Sequence, residues 1–188
     1  GLLTPDWEII HGIDDVVSFH TPLVIKPNNQ GSTLGLSIVR NIGDKAAAID
    51  EAMKYSDNII VEKYIPGREI TLAILGEDVL PIVEIRSSHE LYDYECKYTP
   101  GMSEYICPAV LDHNLTKDIQ KNTEKIFKAL DCRAYGRADY LLDEEGRYFF
   151  LEMNTLPGMT STSLVPMAAK AHGLSFAKLI NCILEMSL

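Results

Sequence analysis

Residues 137–143 and 148–154 are two β-prone runs separated by Glu144-Glu145-Gly146-Arg147, and such a pair commits a chain to a tight antiparallel hairpin. Either a two-residue loop centred on Glu145-Gly146 or a four-residue loop pairs position 139 with 152, so Asp139 is predicted to stand opposite Glu152. The two-residue period of a strand places Asn154 on the same face. Like charges opposed across strands destabilise a sheet unless a cation lies between them. Two carboxylates and an amide oxygen at one strand end form the oxygen donor set that magnesium and manganese take, with phosphate oxygens completing the shell. A merely solvated hairpin end also suits these residues, so the hairpin alone leaves both readings open.

The chain has 188 residues, 46% of them hydrophobic, enough to bury a sizeable core in one large domain or two small ones. A net charge of -10, from 17 basic and 27 acidic residues, argues against a nucleic-acid partner, which needs a basic face. A polyanionic ligand must then be held by local Lys and Arg plus metal, because net charge opposes it within a Debye length of about 8 Å. Cys96, Cys107, Cys132 and Cys182 show no CxxC spacing, and the five histidines are scattered. No secretory leader or apolar run of about 20 residues is evident, so the expectation is a reduced, cytoplasmic protein with no zinc site and no membrane partner.

Residues 21–27 and 36–40 read as strands joined by the loop Asn28-Asn29-Gln30-Gly31-Ser32-Thr33-Leu34-Gly35, a small polar flap whose backbone N–H groups suit phosphate. Lys26 sits on its entry strand; taken by itself it also suits a surface strand. Asp44 is placed as the cap of a helix reaching about Tyr55, with Ala48, Ile49, Ala52 and Met53 buried. Residues 58–65 form an apolar strand ending at Pro66-Gly67, a turn and a candidate hinge. A hairpin follows, 71–75 against 79–85, and then a long polar segment, 86–105, of a length usual for functional lids or disordered segments, its tyrosines arguing against disorder. Thr116 is predicted to cap a helix carrying Ile119, Ile126, Phe127 and Leu130. Ser175 is predicted to cap the last helix, with Phe176, Leu179, Ile180, Ile183 and Leu184 on its core face.

With these residues in place the chain resembles the D-alanine-D-alanine ligases of the ATP-grasp family over essentially its whole length. The motifs are KPNNQGSTLG (26–35), VEKYIPGREI (61–70), YDYECKY (92–98), GRAD (136–139) and LEMNTLPGMTSTSLVP (151–166). The resemblance implies an α+β ATP-grasp fold, two lobes of antiparallel sheet with helices and nucleotide between them. Its lobes would be residues 1–65, a central lobe incomplete at its start, and 66–188, a C-terminal lobe with lid loop 86–105.

The same resemblance implies the site. ATP would be held by Lys26, by Gly31, Ser32 and Thr33 closing over its phosphates, by Glu62, Lys63, Tyr64 and Ile65 along the strand that reads adenine, and by Glu69 on the ribose hydroxyls. Lys97 would reach the transferred phosphate from the lid, beside Tyr98 at the substrate; Cys96 stands where the family more often has Ala. Mg2+ or Mn2+ would lie on Asp139, Glu152 and Asn154. Arg137 would face the reacting carboxylate, and the Gly158 N–H the oxyanion, so that Arg137, Gly158, Lys97 and Ser32 are the catalytic set. Ser163 and Leu164 would seat the second D-alanine, although Ser161, Thr162 and Ser163 equally suit a helix N-cap.

The reaction implied is ligation of two D-alanine molecules through an acyl phosphate, for peptidoglycan precursors, with the tyrosine-rich lid favouring D-alanine over D-lactate as acceptor. Family members carry roughly another hundred residues ahead of this point, about one small domain. The chain is therefore expected to be a fragment, and a homodimer is implied only for the full-length enzyme. A nucleotide-binding ATP-grasp module without turnover, or another carboxylate-amine ligase of the same fold, remain as alternatives.

Overall fold

The structure, a computed structural model, describes residues 1–87 and 101–188, so residues 88–100 of the predicted lid, with Cys96, Lys97 and Tyr98, lie outside the described residues, while its ends, expected as loop, belong to strands Val83–Ser87 and Ser103–Ile106. The chain divides into two compact units: Pro5–Pro66 with Ser87–Ser103, and Gly1–Thr4 with Gly67–Arg86 and Glu104–Leu188.

In the first unit, β1 (Trp7–Ile10), β2 (Leu23–Pro27), β3 (Ser37–Val39) and β4 (Ile59–Lys63) make an antiparallel sheet in the order β1-β4-β2-β3. Alternation decides its faces: Leu23, Ile25, Ile59 and Val61 are buried with Ala48, Ile49 and Ala52 of α1 (Lys45–Met53), while Val24, Lys26, Ile60 and Glu62 share the other face. Asp44 sits at the predicted cap position but makes no side-chain cap bond, because the 3-10 turn Ile42–Asp44 holds its backbone near φ -88, ψ -8 rather than extended. Met53, predicted to be buried, is 41% exposed as the last residue of α1.

The second unit contains β5 (Arg68–Leu75), β6 (Asp78–Val79), β7 (Val83–Ser87), β8 (Ser103–Ile106), β9 (Tyr135–Leu142) and β10 (Tyr148–Asn154), in the order β10-β9-β5-β7-β8, with β6 paired to β5. The strand predicted over 79–85 is broken, since Leu80 N–H bonds back to Ala73 O, Pro81 has no N–H to continue the ladder, and β7 resumes one register step away. One sheet face packs Ile70, Leu72, Ile74, Ala138, Tyr140 and Leu142 against Ile119 and Phe127 of α2 (His113–Ala129). Asp112, not Thr116, caps α2, accepting from the N–H groups of Asn114 and Leu115; Thr116 lies inside the first turn and donates to Asp112 O. Leu130, predicted to lie on the buried face, ends the helix 55% exposed. Glu84, buried on this side of the sheet, is matched by Arg68 and Arg86 at 2.5 and 3.0 Å.

Two more helices, α3 (Leu164–Ala171) and α4 (Phe176–Ser187), pack on one another. Ser175 caps α4 as predicted, accepting from Lys178 N–H. Its core face is narrower than the periodicity suggests: Leu179 is buried, Ile180 and Ile183 are partly buried, and Phe176 and Leu184 are exposed. Among the described residues no helix is long and apolar enough to cross a membrane.

Candidate functional site

Asp139 pairs with Glu152 and Arg137 with Asn154 across β9 and β10. The pairing was expected; the turn that leads to it was not. Asp143 N–H donates to Arg147 O at 2.9 Å and Gly146 N–H to Asp143 O at 3.2 Å, closing a three-residue loop over 144–146. Gly146 takes φ +79, a left-handed conformation that glycine reaches without steric cost, in place of the two- or four-residue alternatives. The Asp143 carboxylate holds the loop by accepting from the N–H groups of Glu145 and Arg147.

That loop pairs Leu142 with Tyr148 and Tyr140 with Phe150, and a continuous ladder would then set Leu151 against Asp139. Instead the register shifts by one between Phe150 and Glu152, leaving Leu151 as the extra residue of a β-bulge. The side-chain period reverses there. Tyr148 and Phe150 pack on the α2 core, whereas Glu152 and Asn154 share the opposite face with Asp139.

Two rows of side chains follow from register alone. Thr71 on β5, Asp139 on β9 and Glu152 on β10 form one; Ala73, Arg137 and Asn154 form the next. Arg137 grips Asp139 with both ends of its guanidinium, Nε to Oδ1 at 2.8 Å and Nη2 to Oδ2 at 2.7 Å. Asn154 Nδ2 donates to Asp139 Oδ2 at 2.9 Å and to Glu152 Oε1 at 3.0 Å. Thr71 Oγ1 lies 2.6 Å from Asp139 Oδ1.

Asn154 thus presents its amide nitrogen, not the oxygen expected of it, because two neighbouring carboxylates are acceptors that need a donor between them. The cation expected between the strands is in part the Arg137 guanidinium. Two carboxylates against one guanidinium leave one net negative charge, and Asn154 Nδ2 bridges Asp139 Oδ2 and Glu152 Oε1, which brings the two acids to one donor. Carboxylate and amide oxygens of this kind are the donor types that suit a hard divalent cation. Among the described residues no three His, Cys, Asp or Glu side chains group as metal ligands, and Cys107, Cys132 and Cys182 are free.

After β10 the chain runs through Pro157, Gly158 and Met159 to α3, whose N-cap residue is Ser163. Ser163 does not cap with its side chain. Its Oγ turns back into the loop, accepting from Thr160 N–H at 2.9 Å and bonding Thr160 Oγ1 at 2.8 Å. A Cβ added to Gly158 would come within 3.1 Å of that Oγ, so Gly158 and Ser163 are near neighbours. Leu164 begins the helix and is buried.

In the Pro5–Pro66 unit Lys26 reaches across from β2 to β4 and pairs with Glu62, Nζ to Oε1 at 2.8 Å. Lys63 spends its N–H on Asp6 O and its ammonium on the Asp6 carboxylate, and Tyr64 N–H is committed to Pro22 O. The Tyr64 ring lies under the Arg40 guanidinium, 5.1 Å from centroid to Cζ. Ile65 is half-buried beyond the strand end. In the loop after β2, Ser32 and Thr33 take φ +55 and +65, next to an open Gly31. Left-handed backbone at two non-glycine residues costs of the order of 1–2 kcal/mol each, which points to a loop shaped for something other than its own stability. Glu69 lies on β5, on the face that carries Thr71.

Thr71 is the residue that sequence reasoning missed. A strand register for β5 against β9 places it beside Asp139, but that pairing joins segments far apart in sequence, and no local pattern reports it.

Residues 7–185 match the family described as D-ala D-ala ligase C-terminus. The D-alanine–D-alanine ligase of Methylacidiphilum infernorum is 43% identical over 187 residues, and the chain spans 61% of that relative's length. Crystal structures of the D-alanine–D-alanine ligase from Bacillus anthracis superpose over 99% of this chain, with a TM-score of 0.84 at 34% identity, and 0.78 at 30% for the form complexed with ATP; the chain spans 62% and 59% of them. The VanG D-Ala:D-Ser ligase of Enterococcus faecalis gives a TM-score of 0.84 at 31% identity, with 57% of its length spanned. Fold and sequence point the same way: this chain, with its α+β ATP-grasp fold, belongs to the D-alanine–D-alanine ligase C-terminal family.

Proposed function

We propose that this chain is the nucleotide-handling part of an ATP-dependent D-alanine–D-alanine ligase. The observation that carries the reading is the convergence of Asp139, Glu152 and Asn154 beside Arg137 on one sheet face. The named relatives and the ATP-complexed neighbour support it.

In this reading Asp139, Glu152 and Asn154 hold a magnesium or manganese ion, Asn154 turning its amide to offer oxygen. When bound, such an ion offsets charge on the transferring phosphate. In the other unit Lys26 and the backbone of Gly31, Ser32 and Thr33 take phosphates, Glu62 through Ile65 meet the base, and Glu69 accepts from the ribose. Lys26 is poised for this because its partner Glu62 is itself half-buried, so the ammonium is held in place before a ligand arrives.

The chemistry proposed needs no protein nucleophile. One D-alanine carboxylate oxygen attacks the γ-phosphorus and ADP leaves; the amine of a second D-alanine then attacks the acyl carbon, phosphate leaves, and the amine sheds a proton. Arg137 steadies the reacting carboxylate and Gly158 N–H the oxyanion, with Lys97 at the transferred phosphate, Tyr98 at the substrate, and Ser163 and Leu164 at the acceptor carboxylate. Ser32 completes the flap.

A second reading, nucleotide binding without turnover, is favoured by one fact: the chain spans only 53–64% of the length of the curated relatives it matches. ADP release measured with and without millimolar D-alanine separates the two. D-alanine-dependent release means turnover by this chain; ATP bound without release means a nucleotide-binding part of a longer ligase; and absence of ATP binding overturns both.

A further inference from the structure

We propose that Thr71 is a positioning residue for Asp139, and that its buried hydroxyl governs how tightly the site retains a divalent cation. The inference rests on the reading of Asp139 and Glu152 as metal ligands.

Three donors hold the Asp139 carboxylate. Arg137 meets both oxygens, Asn154 meets Oδ2, and Thr71 meets Oδ1 from the opposite side. Two of these have other work in the proposed reaction: Arg137 turns to a substrate carboxylate, and Asn154 exchanges nitrogen for oxygen when a cation arrives. Thr71 has no such freedom. It is 1% exposed, fixed by the pairing of β5 with β9, and β-branched, so few rotamers are open to it.

Its single proton has two acceptors within reach, Ala138 O at 3.1 Å and Asp139 Oδ1 at 2.6 Å. The shorter contact, to an ionised oxygen, takes the proton. Within the row Thr71–Asp139–Glu152, a bond to Oδ1 on the β5 side turns Oδ2 toward Glu152 on the β10 side. Thr71 therefore presets the carboxylate for a cation shared with Glu152, and remains when Arg137 and Asn154 let go. Partners behind metal ligands typically change metal affinity 10- to 100-fold when removed.

The test compares Thr71→Val, which keeps shape and loses the hydroxyl, with Thr71→Ser, which keeps the hydroxyl. Mn2+ retention is read by water proton relaxation at saturating ADP, alongside ADP affinity without metal and the thermal midpoint. Thr71→Val is expected to weaken Mn2+ retention about 10-fold or more with metal-free ADP affinity unchanged, and Thr71→Ser to stay within about threefold of the parent. Should Thr71→Val fail to fold, Thr71→Cys, of similar volume and poor as a donor, is held to the same expectation. Equal Mn2+ retention in the hydroxyl-free variant and the parent, or equal losses in the hydroxyl-free and Ser variants, overturns the assignment alone. A parent chain that binds ADP but retains no Mn2+ overturns the metal reading and the role of Thr71 with it; one that binds no ADP overturns the nucleotide reading as well.

Discussion

Glu152 stands opposite Asp139 because a β-bulge at Leu151 undoes the register that the turn sets. The three-residue loop sends the even-numbered side chains before the bulge to the α2 core, and the bulge turns the same parity after it to the opposite face, that of Asp139. Aromatic packing by Tyr148 and Phe150 and the polar cluster that Glu152 and Asn154 form with Asp139 are thereby served by even-numbered residues of one strand.

This arrangement makes an unusual deletion tolerable. Removing Leu151 leaves Phe150 followed directly by Glu152, which a continuous ladder still sets against Asp139. The deletion is expected to fold, to lose about 1–2 kcal/mol from altered twist, and to keep magnesium-dependent ATP binding within a few-fold. Deletion of Met153, which moves Asn154 to the other face, is expected to abolish that dependence. Calorimetric ATP titrations of both variants check this, and identical behaviour would refute the bulge account.

Asn154→Asp places a third carboxylate where an amide now donates to two others. Without divalent ions the variant is expected to lose about 1–3 kcal/mol from the missing donor and like-charge repulsion. Added Mn2+ should raise its thermal midpoint more than it raises the parent's. Parallel melts with chelator and with Mn2+ decide it; equal Mn2+ shifts would mean the three residues do not share a cation.

Gly67, at the boundary between the two units, lies close against the backbone at the end of β9. A Cβ there would lie 2.4 Å from Leu142 O and 2.8 Å from its carbonyl carbon, both backbone atoms that cannot swing aside. Gly67→Ala is expected to cost about 1–3 kcal/mol in urea denaturation, and a neutral result would show that the segment entering β5 can shift freely.

Burial pushes the Tyr140 hydroxyl from its ordinary 10.0 up to about 12, against a smaller opposing effect of its bond to Thr123. Tyr148 is also pushed up to about 12, by burial first and then by the Asp118 carboxylate beside it. A raised folded pKa gives stability that is complete below about pH 10 and lost as pH climbs toward 12. Tyr140→Phe is expected to cost about 1 kcal/mol at neutral pH and to flatten, without removing, the fall in stability above pH 10. Denaturant midpoints from pH 8 to 11.5 check it; an unchanged alkaline slope would contradict it.

How much of this was legible in the sequence depends on how far apart the partners lie. The hairpin over 137–154, the Ser175 cap and the buried stripe of Ala48, Ile49 and Ala52 rest on local chemistry, and the residues alone announced them. The Leu151 bulge was hidden because an error in the loop and the shift in the ladder cancel, giving the right pair for an incomplete reason. Asp112 was passed over for Thr116 because both residue types cap helices, and only backbone conformation separates them. Phe176 and Leu184 were assigned to a core by periodicity, which reports an apolar stripe but not whether a partner covers it. Thr71 was invisible for want of the β5–β9 register, whereas the capture of Asp139 by Arg137, two residues along the same strand, lay within reach of the strand period but was overlooked because Arg137 was assigned to the substrate.

The central claim is that Asp139 and Glu152 hold a divalent cation on ATP, and titrating ATP into this chain with and without magnesium tests it most directly. Magnesium is expected to strengthen binding at least about 10-fold, and Glu152→Gln to cancel most of that gain while the thermal midpoint holds. ATP binding that is indifferent to magnesium, or a magnesium effect that survives Glu152→Gln, would mean that these carboxylates only tie two strands together.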